Sequence, residues 1–355
     1  MIKLLLTHAP DALNLYYGEQ ALDGLRQHAN VMLNPLGREM STAEMIEAAR
    51  DCQIIVSYRT AAAPREVFEQ LPGLVAFSRC AIDIRNIDVE AASRAGVLVT
   101  QASAGFITSV SEWTIGAMID LSRSISDSAH AWRSGGTPAI VMGRELKGAT
   151  LGIIGFGQIA RNLASLARAF GMRILVFDPY VDETTFAQAA GLADTDTCAL
   201  AHGPGAAVLR TDLAAVLAQA DYLVCLATAT EETENLLDAD AFAQMKPGAL
   251  FINPSRGNLV DEQALIAALD RGTLAGCALD VGRAPDQMPT PQLARHPKVI
   301  ATPHVGGLTP PAIRHQALET VEQVARIVLG MAPTGSVNAD QATRLSRFAG
   351  SHKAQ

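Results

Sequence analysis

The sequence lacks any long apolar run and any concentrated run of Lys and Arg. No stretch approaches the roughly eighteen unbroken apolar residues of a membrane helix, and the opening run Leu4–Leu6 is too short for the core of a signal peptide. The net charge is −8, which argues against nucleic acid or an anionic membrane surface as the main partner. We therefore expect a cytoplasmic protein that binds neither nucleic acid nor a membrane.

Cysteine is also scarce, with five residues that show no paired spacing: Cys52, Cys80, Cys198, Cys225 and Cys277. Several fall in apolar runs, where Cys behaves as a small hydrophobic residue, so we interpret them as reduced and structural. Cys225 stands near the end of a predicted strand, which leaves a thiol nucleophile open as an alternative. No metal site is predicted.

What the chain does contain is an alternation of short strand patterns and helical patterns, which is typical of α/β proteins with parallel sheets. Its 355 residues, 49% of them hydrophobic, fit two domains better than one. Strands are predicted at 4–6, 54–57, 75–77, 97–100, 151–155, 173–177, 222–226, 249–253, 277–280 and 299–301. The stretch 191–207 is rich in Gly, Ala and Pro and is predicted as a loop.

Two helix signals set the predicted domain boundaries. Ser109 and Glu112 form a capping-box pattern, so a long helix is predicted to start at Ser109 and to run until the glycine-rich stretch from Ser134. A closing helix with Pro310 at its first position is predicted to end at Gly330. Because this helix follows the last strand of the second series, the chain is expected to return to its first domain. The prediction is one domain from 1–104 plus 307–355, with 105–306 inserted.

A cofactor signature lies at the start of the second series, where strand 151–155 runs into G-x-G-x-x-A. Gly155 allows a tight turn, Gly157 lets the backbone approach a pyrophosphate, and the helix that opens with Gln158 and Ile159 receives its charge. Asp178 ends the next strand about twenty residues on, where a carboxylate binds ribose hydroxyls and disfavours a 2′-phosphate. The sequence therefore predicts NAD, with a turn cap before Pro179 as the alternative role of Asp178.

Three later segments place reactive side chains after strands, at the edge where doubly wound sheets bind ligands. Arg256 follows strand 249–253 and can hold a carboxylate with two parallel hydrogen bonds, the alternative being a surface ion pair with Asp261 or Glu262. Asp280 ends strand 277–280. His304 follows strand 299–301, and histidine suits proton transfer near neutral pH.

Taken together, these motifs resemble the D-isomer-specific 2-hydroxyacid dehydrogenases, the family of phosphoglycerate, glycerate and D-lactate dehydrogenases. The likeness covers about residue 50 to residue 338, including Asn86-Ile87-Asp88 and Val110-Ser111-Glu112. It implies a Rossmann cofactor domain inserted in a flavodoxin-like substrate domain. It also implies that Arg256 binds the 2-oxo acid, that His304 is the general acid/base, and that Asp280 holds the nicotinamide carboxamide. Further contacts are predicted for the cofactor at Thr233 and for the substrate at Arg59, Ile82 and Asp83.

The chain departs from the family pattern at two places. In D-V-x-x-x-E-P the glutamate position is Pro285 here, so the third catalytic acid is predicted one residue later, at Asp286, which could equally be a turn aspartate. In the substrate loop, Asp83 would repel a substrate carboxylate unless Arg85 or Arg59 compensates.

These features predict an NAD-dependent oxidoreductase that moves a hydride on a small 2-hydroxy or 2-oxo acid. The alternative is a non-catalytic NAD-sensing regulator on the same scaffold, like the family's corepressors. A homodimer is predicted because the helix over 115–121 and its loop to Lys147 resemble the family's subunit-contact region.

Overall fold

The computed structural model describes residues 2–189 and 208–349, so Cys198 and the predicted loop 191–207 lie outside the described residues. Within those ranges the strands are β1 Lys3–Leu6, β2 Asn30–Leu33, β3 Ile54–Ser57, β4 Ala76–Arg79, β5 Leu98–Gln101, β6 Thr150–Ile154, β7 Arg173–Phe177, β8 Val208–Arg210, β9 Tyr222–Cys225, β10 Ala249–Asn253, β11 Leu274–Leu279 and β12 Val299–Ala301.

The helices of the same ranges are α1 Pro10–Tyr16, α2 Glu19–His28, α3 Thr42–Ala48, α4 Arg65–Gln70, α5 Val89–Arg94, α6 Ile107–Arg123, α7 Ile125–Arg133, α8 Gln158–Ala169, α9 Glu183–Ala189, α10 Leu213–Gln219, α11 Ala239–Gln244, α12 Glu262–Asp270, α13 Pro291–Ala294, α14 Pro310–Ile327 and α15 Ser346–Ala349. The chain divides into two compact units, Met1–Phe106 with Leu308–Gln355, and Ile107–Gly307.

The first unit is built on a parallel five-stranded sheet in the order β2-β1-β3-β4-β5. This is the flavodoxin-like order 2-1-3-4-5, whose ligand crevice lies outside the carboxyl ends of the first and third strands. Apolar side chains cover both faces of the sheet: Leu4 and Leu6 pack with α2 and α14 on one face, and Leu5 and Ile55 pack with α3 and α4 on the other.

The second unit is built on a parallel seven-stranded sheet in the order β12-β11-β10-β9-β6-β7-β8. Counted from its own first strand, this is the Rossmann order 3-2-1-4-5-6 with one strand added after the sixth. The strand order reverses between β6 and β9, so a ligand crevice is expected at the carboxyl ends of these two strands. The predicted fold class, two doubly wound α/β domains, is confirmed.

The predicted start of the long helix at Ser109 was wrong. Helix α6 begins at Ile107, so Ser109 lies inside its first turn and is buried there. The helix also ends early, at Arg123, because Ser124 adopts a left-handed conformation (φ 48°) that a helix cannot continue, and α7 follows. None of the helices within residues 2–189 and 208–349 is long and apolar enough to cross a membrane.

Candidate active site

The glycine turn connects β6 to α8, at the point where the strand order of the second unit reverses. Gly155 has φ +89°, and a Cβ on it would lie 2.6 Å from the carbonyl oxygen of Leu226, so only glycine fits. Gly157 has an ordinary φ, and a Cβ there would meet no protein atom within 4 Å. Packing against the described protein atoms therefore does not explain Gly157, and close approach of a pyrophosphate to the first turn of α8 stays the predicted reason for this glycine.

Asp178 follows β7, and its contacts are those of the turn cap that its position suggested as an alternative, whereas ribose binding stays a prediction. Its Oδ2 accepts a hydrogen bond from the Phe156 amide of the glycine turn at 2.7 Å, and its Oδ1 accepts from the Tyr180 amide at 2.8 Å. The half-buried carboxylate thus ties the end of β7 to the turn after β6. The carboxylate therefore lies beside the glycine turn, which is the place where an acidic residue accepts hydrogen bonds from ribose hydroxyls in dinucleotide-binding domains.

Gln158 and Ile159 open α8, so their backbone amides belong to the helix turn that has no intrahelical acceptors. Thr233 lies in the loop after β9. Its hydroxyl accepts a hydrogen bond from the Thr230 amide and donates one to the Thr228 carbonyl, both at 2.8 Å. Thr233 therefore shapes the loop of the strand that adjoins β6.

Arg256 stands on a loop that Asn253 and two glycines hold. The buried Asn253 side chain donates from Nδ2 to the Arg256 carbonyl at 2.8 Å, and its Oδ1 accepts from the Ser255 main-chain amide at 3.0 Å. A Cβ on Gly257 would lie 2.2 Å from the Gly282 backbone, so the loops after β10 and β11 touch backbone to backbone. The half-buried Arg256 side chain donates from Nη1 to the Ser255 main-chain oxygen at 2.7 Å.

The two acids that offered Arg256 an ion pair have contacts of their own. Asp261 caps α12 by accepting the Gln263 and Ala264 amides, each at 3.0 Å. Glu262 accepts from the Thr290 hydroxyl at 3.0 Å and from the Arg283 amide at 3.3 Å. Asp261 is therefore used in capping a helix, and Glu262 is used in holding the loop after β11.

His304 lies on a strained loop that Asp280 organises. Its φ is +56°, which is uncommon outside glycine and is often found at functional sites. The buried Asp280 carboxylate accepts the Thr302 hydroxyl at 2.6 Å and the Val305 and Gly306 amides at 2.8 and 2.7 Å. Asp280 is therefore a support for the His304 loop, whatever it contributes to a cofactor.

Asp286 is brought to His304 through its backbone. His304 Nδ1 lies 2.9 Å from the carbonyl oxygen of Asp286. Asp286 and Gln287 both have positive φ, 54° and 59°, and form a tight turn in which the Met288 amide donates to the Pro285 carbonyl. This is the turn that the alternative interpretation of Asp286 anticipated, and it aims a main-chain oxygen at the imidazole.

The predicted substrate residues lie in the first unit, after β3 and β4. The Arg59 guanidinium lies 5.2 Å from the centre of the Tyr16 ring, and Ile82 is 37% exposed. Asp83 is paired with Arg85, whose Nη2 is 2.6 Å from Oδ2, and hydrogen bonding to Asp83 raises the pKa of Arg85. The compensation expected from Arg85 is thus present.

Sequence reasoning missed the residues that hold these loops. Arg79, fully buried at the end of β4, donates to the carbonyl oxygens of Tyr58 and Ala61 and to the side chain of Asn86. In the second unit, Arg283 joins three loops. Arg79 could have been found from the sequence, because an arginine at the end of an apolar strand is unusual. Nothing in the loop sequence Asp280-Val281-Gly282-Arg283 indicates the contacts of Arg283.

Cys225 does not have the properties of a nucleophile. It is a free, fully buried thiol, and burial raises its pKa to about 12. The thiol is therefore protonated at neutral pH, which leaves little reactive thiolate.

Comparison with known proteins agrees with this geometry. Residues 115–306 match the sequence profile of the NAD binding domain of the D-isomer specific 2-hydroxyacid dehydrogenases. A D-3-phosphoglycerate dehydrogenase of Synechocystis sp. is 30% identical over 318 residues, 89% of this chain and 54% of the relative. A (S)-sulfolactate dehydrogenase of Chromohalobacter salexigens is 35% identical over 274 residues, 77% of this chain and 83% of the relative.

Among solved structures, the apo-structure of D-lactate dehydrogenase from Escherichia coli has a TM-score of 0.78 and 24% identity, and the alignment covers 95% of this chain and all of that one. The chain spans about half the length of the D-3-phosphoglycerate dehydrogenases that it matches. The chain belongs to the D-isomer specific 2-hydroxyacid dehydrogenase family, as its motifs predicted, and the predicted cofactor, NAD, is confirmed.

Proposed function

We propose that the protein is an NAD-dependent oxidoreductase that interconverts a small 2-hydroxy acid and its 2-oxo acid. When bound, NAD supplies or accepts the hydride. Gly155, Gly157, Gln158, Ile159 and Asp178 would hold it, with Thr233 shaping a neighbouring loop. The observation that carries the proposal is the arrangement at His304, where a main-chain oxygen faces Nδ1 and leaves Nε2 to exchange a proton with the substrate.

In this proposal Arg256 binds the substrate carboxylate, because a guanidinium offers two parallel donors to two carboxylate oxygens. His304 gives a proton to the substrate oxygen during reduction and takes it back during oxidation. Asp286 orients the imidazole and assists its proton transfer, and Asp280 keeps the His304 loop in place. The first unit is assigned further substrate contacts, through Arg59, Ile82 and Asp83, and the second unit is assigned NAD together with Arg256 and His304.

The test is NADH oxidation against a panel of 2-oxo acids. The panel contains 2-oxo acids that correspond to the related dehydrogenases, namely pyruvate, phosphohydroxypyruvate and sulfopyruvate, with glyoxylate added as the smallest 2-oxo acid. Turnover with one of them supports the enzyme, and tight NADH binding without any turnover supports the sensor instead. The same assay with NADPH tests the preference expected from Asp178, which equal rates with both cofactors would contradict.

We also propose a homodimer. The stretch 125–142 exposes large apolar side chains, which on a soluble surface commonly mark contact regions: Ile125, Trp132, Ile140, Val141 and Met142.

A further inference from the structure

The Arg283 side chain connects three loops at the carboxyl edge of the second sheet. Its Nη1 donates to Glu234 Oε1 at 2.8 Å, and its Nη2 donates to Asn235 Oδ1 at 2.6 Å. The same Nη2 lies 3.1 Å from the Asn258 carbonyl oxygen and 3.2 Å from that of Val260. One guanidinium thus joins the loops that follow β9, β10 and β11, three neighbouring strands.

The other contacts of these loops show what Arg283 adds. The loops after β9 and β10 are already paired by their main chains, since the Asn235 amide donates to the Asn258 carbonyl and the Leu237 amide to the Leu259 carbonyl. The loop after β11 is fastened to this pair by the Arg283 guanidinium and by Glu262. Glu262 accepts from the Arg283 amide near one end of the loop and from the Thr290 hydroxyl at the other.

Arg256 and Arg283 are coupled through the backbone. Gly257 follows Arg256, Gly282 precedes Arg283, and these two glycines pack so closely that a Cβ on Gly257 would lie 2.2 Å from the Gly282 backbone. A shift of the loop after β11 toward the loop after β10 would therefore press on the backbone that carries Arg256. Hydrogen bonds from Asn258 and Arg283 lower the pKa of Glu234, so its carboxylate is charged when it accepts from Arg283.

We propose that Arg283 is a positioning residue that sets the orientation of Arg256 by fastening the loop after β11 to the loops after β9 and β10. The inference rests on the proposed function, in which Arg256 binds the substrate carboxylate. Arg283 acts through Arg256 and needs no contact with substrate.

The first experiment is Arg283→Gln in the full-length protein. The amide keeps one donor but cannot reach all four acceptors. We expect kcat/KM for the 2-oxo acid to fall by about ten- to hundredfold, the size expected when a substrate-binding group is misplaced, with NADH affinity within about twofold of the wild type. Arg344→Gln is the matched control, because Arg344 also bridges two main-chain carbonyls, those of Leu71 and Leu74, but in the first unit. It should leave kcat/KM unchanged.

A double-mutant cycle separates positioning from general destabilisation. If Arg283 acts through Arg256, adding Arg283→Gln to Arg256→Ala lowers kcat/KM by less than about twofold further. A full multiplicative loss in that background overturns the proposal.

Hydrogen exchange supplies a readout that needs no activity. Arg283→Gln should speed exchange of the Val260 amide, which donates within the 257–260 turn, and leave the amides of β6 unchanged. Unchanged exchange at Val260 overturns the proposal even if no 2-oxo acid is turned over. Absence of turnover together with faster exchange at Val260 refutes the proposed function but keeps the loop-fastening role of Arg283.

Discussion

At the scale of single residues, the two ring nitrogens of His304 have different surroundings. A backbone carbonyl cannot titrate, so the Asp286 oxygen 2.9 Å from Nδ1 keeps a proton on that nitrogen in both charge states of the ring. The proton that comes and goes is then the one on Nε2. Asp286 and His304 both have a left-handed backbone, with φ of 54° and 56°. Such strained conformations are concentrated at functional sites.

This geometry makes Asp286→Asn an informative variant, because asparagine tolerates a left-handed backbone and the main-chain oxygen is retained. Only the carboxylate charge is lost. Because the carboxylate is proposed to assist proton transfer by His304, Asp286→Asn should slow reduction of the 2-oxo acid at neutral pH. His304→Ala should lower kcat by roughly two to four orders of magnitude and leave NADH binding nearly intact. Steady-state kinetics from pH 5 to 9 check both, and a His304→Ala variant of full activity would refute the assignment.

His8, at the carboxyl end of β1, should make the protein sensitive to acid. It is 3% exposed, its ring lies between Tyr17 and Tyr58, and both ring nitrogens are without a hydrogen-bond partner. Burial, and secondarily the charge of Arg79, lowers its pKa from 6.5 to about 3. Below pH 6.5 His8 therefore binds a proton in the unfolded chain but stays neutral in the folded chain. The free energy of unfolding consequently falls as the pH drops from 6.5 toward 3.

Between pH 7 and pH 5 this single group should reduce the free energy of unfolding by about 2 kcal/mol. The measurement is urea unfolding of the wild type and of His8→Phe at both pH values. The variant should lose less stability on acidification by about that amount, whatever its stability at pH 7. Equal losses in the two proteins would show that His8 is accessible to protons in the folded state.

At the scale of elements, the turn from β6 to α8 contains two glycines with different expected roles. Gly155 is needed for folding, and Gly157 is expected to be needed for binding of the cofactor. Gly155→Ala places a Cβ 2.6 Å from a backbone oxygen at a positive φ, so we expect a loss of stability of about 1–3 kcal/mol. Gly157→Ala meets no protein atom and should fold normally. Because its methyl group would stand where the pyrophosphate approaches, NADH affinity should fall about tenfold or more. Thermal unfolding and NADH titration of both variants test this, and normal NADH binding by Gly157→Ala would contradict it.

Which elements the sequence could predict depended on burial. Strands buried on both faces, such as β3 and β10, read as continuous apolar runs, and their bounds were predicted without error. The edge strands β2 and β8 were missed because their apolar runs are short, three residues in Asn30–Leu33 and two in Val208–Arg210. The site was predictable where a motif carries its own geometry, as at Gly155 and Asp178. Contacts made by the backbone, such as the Asp286 carbonyl on His304, have no sequence pattern.

At the scale of the whole molecule, both units use the same rule to place chemistry. In each doubly wound sheet the strand order reverses once, and the loops at the carboxyl ends of the two strands there leave a crevice. In the second unit those loops carry the glycine turn and Thr233. In the first they carry His8 and Arg59, which follow β1 and β3. Each of the two sheets thus has its own candidate ligand crevice, and in the proposed function the crevice of the second unit holds the dinucleotide.

The last prediction concerns assembly. Ile140 and Met142 are almost fully exposed, at 104% and 94%, and they follow α7, which exposes Trp132. Apolar side chains in such a state gain free energy by leaving water, at about 25 cal/mol per Å² of buried area, so a second copy of the chain should cover them. Sedimentation at micromolar concentration should show a species of twice 37.5 kDa. Ile140→Ser with Met142→Ser should shift it toward the monomer, whereas Leu15→Ser, which removes an exposed leucine from α1, should not. A wild type that sediments only at 37.5 kDa would refute the dimer, and a dimer indifferent to the double substitution would place its interface elsewhere.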